Sequence, residues 1–361
     1  MARDILLMCG TSKGAFLFHS RAGGAFVQSG PFLPEAEVNH VTWDPRDWSI
    51  LAAANSPFYG AAVRRSRDMG ATWDKVGEGP AYGPDDEESV TRVWHIVPGP
   101  AEHPGEIYAG VEASGLFRSG DGGETWHEVR ALREHPTHSE WGPGFGGKCL
   151  HTIALDPFRP GRIFTACSAG GVYRSDDAGK AWAPRNRGLS AEFMPEGQQY
   201  PEVGQCVHKF SLSPAKKDRI YLQNHGGVYR SDDGGDSWNY IAGGLPSDFG
   251  FPVVAHPRRE DTAFVIPIER RGRYAPQGNL TVWRTDDAGE TWRPLRKGLA
   301  TGVYVAVLRD AFTADGEDPL GLYFGTASGS VFASSDEGEI WQEIGRHLPR
   351  ILSVEAAALD A

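Results

Sequence analysis

Ser66-Arg67-Asp68-Met69-Gly70-Ala71-Thr72-Trp73 is the first clear copy of an octapeptide that returns along the whole chain. The pattern reads Ser or Thr, any residue, Asp, any residue, Gly, any residue, a small or apolar residue, then Trp. Further copies run from Ser119 to Trp126, Ser175 to Trp182, Ser231 to Trp238, Thr285 to Trp292 and Ser334 to Trp341. Their starts are spaced by 53, 56, 56, 54 and 49 residues. A worn copy, Ser20 to Phe26 with Ala22 in the Asp place, stands 46 residues before the first and brings the number of units to seven.

A period of this length, with four short strands in each unit, is the signature of propeller blades. In the repeat that begins at Cys149, strand A is expected at His151 to Leu155 and B at Arg162 to Ala166. Strand C follows at Gly171 to Ser175, then the octapeptide, then D from Trp182. The reading is an all-β chain, a single seven-bladed propeller domain over residues 1–361. One blade is shared by the two ends, 1–30 and 350–361, and six lie between 37 and 349. Arg350 to Leu359 reads as a lone strand A, and Asp4 to Ser29 supplies B, C and D of a blade without its own A, so the last strand closes the ring. The octapeptide itself reads as a turn device: the Asp accepts backbone N–H groups, the Gly takes a positive φ and the Trp packs between blades.

The composition sets limits on function. A chain of 361 residues with 46 Gly and 25 Pro suits many short strands joined by tight turns. Its net charge of −11, with no Lys or Arg run, argues against nucleic acid and anionic lipid as partners. Cys9, Cys149, Cys167 and Cys206 are widely spaced, which predicts reduced thiols in a cytoplasmic protein. The start of the chain lacks the pattern of a secretory signal.

The repeated octapeptides resemble the Asp-box, or BNR, repeats of sialidases, xyloglucanases, sortilin-type receptor domains and photosystem assembly propellers. That resemblance implies a propeller and a glycosyl hydrolase-like protein. It does not extend to the Arg-Ile-Pro tripeptide that sialidases carry early in the chain, so a sialidase site is not implied.

Chemistry is expected at the end of each blade away from the octapeptides. His40, His95, His151 and His208 recur at the starts of consecutive A strands, with His225 in a nearby B to C turn. Imidazoles gathered with a carboxylate suit a divalent metal such as Zn, Mn or Fe. His40 and His95 stand four residues before the turn that ends the strand, and His151 and His208 five, so small shifts at the strand starts must decide whether they face one point. Without metal, His151 or His208 is the candidate base and Glu112 with Glu269 the candidate carboxylate pair. Lys13, Trp94, Trp141, Lys148, Tyr200, Arg271 and Arg273 are the candidate substrate contacts, the arginines for an anionic group. The connections Arg130 to Lys148 and Arg185 to Gln205 read as lids, and the acidic run Asp85 to Glu88 as a solvated loop. These residues predict an enzyme, hydrolase or lyase, acting on a carbohydrate or small anionic substrate. The alternative is a non-catalytic binding or assembly propeller that docks a protein.

Overall fold

A computed structural model describes residues 3–75, 77–144 and 146–359. The chain groups into two compact units: Met1–Pro34 with His208–Ala361, and Glu35–Val207. Each is built of four-stranded antiparallel sheets whose strands follow one another in sequence.

In the unit of residues 35–207 the sheets begin with strands Glu37–Asp44, Val93–Pro98 and Leu150–Leu155. The second and third strands are mostly buried, and Ile163–Cys167 and Gly171–Ser175 are buried throughout. The fourth is a stub of two residues, Asp74–Lys75, His127–Glu128 or Ala183–Pro184. Burial along whole strands, rather than at alternate residues, follows from each sheet having both faces covered.

In the other unit, sheets begin with Val207–Leu212 and Gly250–Ala255. A third, eight-stranded sheet is two four-stranded ones, Val307–Ala314 to Gln342–Gly345 and Ile351–Leu359 with residues 4–32, joined by one parallel bridge, Asp310 to Ser353. Ile351–Leu359 pairs antiparallel with Asp4–Thr11 from Asp4↔Leu359 to Thr11↔Ile351. The first and last strands of the sequence therefore share a sheet.

All six octapeptides fold alike. Ser66 Oγ accepts the N–H of Gly70 at 2.8 Å and donates to Asp68 Oδ1, which accepts the N–H of Thr72 at 2.8 Å. The same set recurs at Ser119, Ser175, Ser231, Thr285 and Ser334. The Gly of each copy has φ between 88° and 96°, a region closed to most side chains. Within a unit, these turns pack on the preceding sheet: the Trp292 indole Nε1 donates to Ile241 O at 2.7 Å, and the Trp341 backbone N–H to Lys297 O at 2.8 Å. In the worn copy Ala22 lacks a carboxylate, and its N–H donates instead to Asp4 Oδ1 of a neighbouring strand at 2.9 Å.

Two expected loops are pinned down. Asp86 and Glu88, in the acidic run read as solvated, are ion-paired with Arg133, which also meets Glu128. The 130–148 connection was expected to act as a lid, yet Leu132 and Trp141 are buried and the Trp141 indole N–H donates to Tyr173 Oη at 2.8 Å. Apolar anchoring of this kind holds a loop shut against the sheet.

Candidate functional site

Strand register separates the two ends of every sheet. Ser175, which opens an octapeptide, stands opposite Ile163, and Ile163 opposite Leu155, while Leu150 stands opposite Cys167 and Cys167 opposite Gly171. The octapeptide and the start of the first strand thus lie at opposite ends of one sheet. His225 lies in the turn between Asn224 and Gly227, again at the end away from the octapeptide.

In the unit of residues 35–207, a β-bulge at each first-strand start settles where His40, His95 and His151 fall. Val38 pairs with Ala54 and His40 with Ala53, so Asn39 is the extra residue. Trp94 is extra in the next sheet and His151 in the third. His40, His95 and Thr152 are therefore equivalents, and His151 matches Asn39 and Trp94 instead. The four- and five-residue counts left open whether these side chains share one position, and the bulges set His151 one place away from His40 and His95, because an inserted residue shifts the alternation of side chains by one place.

In the unit of residues 35–207, His40 and His95 form a buried pair with ring centroids 4.1 Å apart, and His40 Nδ1 accepts the Ile96 N–H at 3.4 Å. His151 stands apart from that position, with Nδ1 3.0 Å from Thr152 Oγ1. Glu112 accepts from Arg92 at 3.2 Å and from the Trp94 indole at 3.3 Å, and Glu37 meets the same guanidinium at 3.2 Å. A carboxylate held in such a network is committed to positive partners. Trp141, expected to face a ligand, is buried and serves packing. Tyr200 is 70% exposed, and Lys148 is half-buried near His138, whose pKa falls to about 4 through burial, with Lys148 and Arg133 adding to the effect.

The other unit gathers more of the candidates. His208 is buried, and its Nδ1 donates to the Gly250 carbonyl at 2.6 Å. A carbonyl only accepts, so Nδ1 carries the proton and Nε2 presents a lone pair. Phe249, Phe251 and His225 surround the ring at centroid distances of 5.1, 4.9 and 5.6 Å. Burial drives the His208 pKa down to about 3, against the pull of the Gly250 hydrogen bond, and Arg309, His225 and Arg273 push the same way as burial. His208 is therefore neutral near pH 7 and is a poor general base there. Its chemistry is that of a fixed lone pair.

Arg273 lies over Phe249, with its guanidinium carbon 4.3 Å from the ring centre, and 5.7 Å from that of Phe251. The loop that carries it is closed by backbone bonds, Glu269 N–H to Tyr274 O at 2.7 Å and Arg273 N–H to Glu269 O at 2.9 Å. Arg270 ties the loop to Asp248 at 2.9 Å. Glu269 thus contributes its backbone to loop closure, Arg271 is exposed, and Lys13 is exposed in the Thr11 to Gly14 turn, where its N–H meets Thr11 Oγ1 at 3.2 Å. Phe249, Phe251 and Asp248 were not singled out from sequence. Phe251 stands five residues before His256, as His208 stands five before Ser213, and that shared count was the available signal.

One ring nitrogen each of His208 and His225 lie within 4.8 Å of one another, and the Nδ1–H to carbonyl bond fixes the orientation of the His208 ring.

Comparisons with known proteins give the class. No protein-family model matches the chain. A xyloglucanase of Paenibacillus sp is 26% identical over 234 residues, 56% of this chain and 21% of that one. A xyloglucanase of Hypocrea jecorina is 28% identical over 299 residues, 72% of this chain and 32% of that one. The chain spans between about a fifth and a third of the length of these relatives. Among solved structures, an ancestral GH74 enzyme superposes with a TM-score of 0.55 at 18% identity, covering 88% of this chain and 38% of that one. YCF48 bound to D1 peptide gives 0.54 at 17% identity, with 86% and 81% covered. Together with the succession of four-stranded sheets, these likenesses define an all-β protein of the β-propeller class.

Proposed function

We propose that the chain is a carbohydrate-acting, glycosyl hydrolase-like propeller whose ligand meets the His208, His225 and Arg273 corner. The observation that supports it most is the match to xyloglucanases over more than half of this chain. The corner adds polar groups of fixed direction on an aromatic floor, the composition of a sugar-binding site. A divalent ion such as Zn, Mn or Fe is part of the proposal, with His208 and His225 as its holders. When bound it would supply Lewis acidity toward a substrate oxygen. His208 orients, and its proton stays on Nδ1. As part of the same proposal the chain works as one domain in the cytoplasm, where free thiols such as the buried Cys9 and Cys167 persist.

Purified protein incubated with neutral and acidic oligosaccharides, with and without added Zn, Mn or Fe, tests this reading. Release of new reducing ends, lost in His208→Ala, is expected. Absence of both turnover and binding across the panel overturns it. A second reading, a docking propeller, draws on the fold shared with YCF48 bound to D1 peptide and on the side chains Phe58 and Tyr59, 82% and 72% exposed. These aromatics sit at the turn after Ser49–Ser56, at the sheet end away from the octapeptide.

A further inference from the structure

We propose that the Glu269 to Tyr274 loop forms a subsite that selects a carboxylate-bearing sugar, a uronic acid unit, over a neutral one. The proposal rests on the carbohydrate reading above and narrows its substrate class.

Charge is the first ground. The protein carries a net charge of −11, yet this six-residue loop sets Arg270, Arg271 and Arg273 against the single carboxylate of Glu269. Asp248 neutralises Arg270 through contacts of 2.9 and 3.0 Å to its two oxygens. With Glu269 and Asp248 set against the three arginines, one net positive charge is left at the loop, where Arg271 and Arg273 are both exposed. A local cation excess on an acidic protein repels other cations and concentrates anions.

Rigidity is the second ground. Two backbone bonds close the loop, and Arg273 is held at φ 56°, a left-handed conformation that a non-glycine residue adopts only when its surroundings enforce it. A Cβ on Gly272 would come within 2.1 Å of the Tyr274 ring, so the backbone approaches that ring as only glycine allows. The buried Phe249 ring lies 4.3 Å from the Arg273 guanidinium carbon and gives that side chain an aromatic support. A planar guanidinium fork is the group that recognises a carboxylate through two parallel hydrogen bonds.

A surface for the sugar ring is the third. Tyr274 continues the loop and meets Tyr304 edge to face, with centroids 5.2 Å apart, and Tyr304 is 64% exposed. An exposed aromatic face beside a cationic fork matches a pyranose that bears a carboxylate. Small carboxylates alone would use only the fork, and an acidic peptide would use the fork without the ring.

The test measures binding by calorimetry to methyl glucuronide, methyl glucoside, acetate and an aspartate-rich peptide, with the wild type, Arg271→Gln, Arg273→Gln, Arg273→Lys and Tyr304→Ala. Uronide affinity is expected to exceed that for glucoside and acetate, and to fall about tenfold or more in either glutamine variant. Tyr304→Ala should weaken the uronide and leave acetate unchanged. Arg271→Gln alters only an exposed side chain, so its result does not depend on folding. Arg273→Lys keeps the charge and removes the fork, and should fall short of wild type. Equal binding of glucoside and uronide, unaffected by the arginine variants, overturns the subsite and leaves the carbohydrate reading standing. Binding of acetate as tight as the uronide also overturns it. Binding of the peptide with no sugar bound overturns both.

Discussion

The two ends of each sheet have been built on different terms. At one end the six octapeptide turns repeat a hydrogen-bond set whose Gly N–H to hydroxyl distances stay between 2.7 and 2.9 Å. At the other, the bulged position changes from Asn39 to Trp94 to His151, and its environment changes with it. Uniform residues at a repeated position answer a demand common to all sheets, which is packing and turn closure. Varied residues at a repeated position answer local demands, and a ligand is one such demand. The comparison predicts that substitutions at the octapeptide end act on stability and those at the other end on binding.

The largest effect is expected from Trp341→Ala. The ring is buried and packs against Phe324 at 4.9 Å, so its removal should cost about 3–5 kcal/mol in denaturant unfolding. An unchanged midpoint would break the contrast at its stronger end. Next comes Gly338→Ala, where φ is 89° and a Cβ would stand 2.6 Å from Leu295 Cδ1. A loss of about 1–3 kcal/mol is expected from the same measurement.

Acid gives a third and smaller effect, centred on the other end. The folded pKa of His208 is about 3 against an ordinary 6.5, so the unfolded chain takes up the proton first. The stability gained by keeping this ring neutral is complete above pH 6.5 and is lost as pH falls from 6.5 toward 3. Within that window the slope is about 1.4 kcal/mol per pH unit for one histidine. His256, buried with Nδ1 accepting the N–H groups of Arg258 and Arg259 at 3.0 and 3.1 Å, adds to it down to about pH 4. His208→Gln should flatten part of the slope in urea midpoints taken at pH 7 and pH 5; an unaltered slope would show that burial is not what holds this imidazole neutral. The smallest effect is that of Phe58→Ser with Tyr59→Ser, where midpoints should move by no more than about 0.5 kcal/mol. If the pair docks a protein, pull-down of a defined partner is lost all the same; retention would set the docking reading aside.

Much of the scaffold was readable because its signals are local. Ser, Asp, Gly and Trp at fixed offsets state a turn by themselves, and the strands expected at His151 to Leu155 and Gly171 to Ser175 appear as Leu150–Leu155 and Gly171–Ser175. The pairing of the two chain ends was also readable, since a leftover strand and a sheet short of one strand need each other. The histidine positions were readable only in part: the four- and five-residue counts set His151 off from His40 and His95, but a bulge leaves no mark in composition that says which residue is the extra one. Trp141 was misjudged for a related reason: an aromatic in a long loop has the same letter whether it faces a ligand or Tyr173. The Phe249 floor under Arg273 came from a residue just ahead of its strand, where periodicity gives no guidance.

The pairing of Asp4–Thr11 with Ile351–Leu359 also sets an order of events during synthesis. At ordinary ribosomal rates, on the order of tens of seconds separates the emergence of these two segments. Throughout that interval Ile5, Leu6, Leu7 and Met8, all buried in the finished sheet, lack the neighbour that covers their backbone edge. An apolar edge left waiting is a template for intermolecular pairing. Aggregation during refolding is therefore expected to rise with protein concentration until Ile351–Leu359 has paired. For the same reason, a circular permutant that places residues 351–359 directly ahead of residue 4 should refold faster and with less aggregation than the natural order.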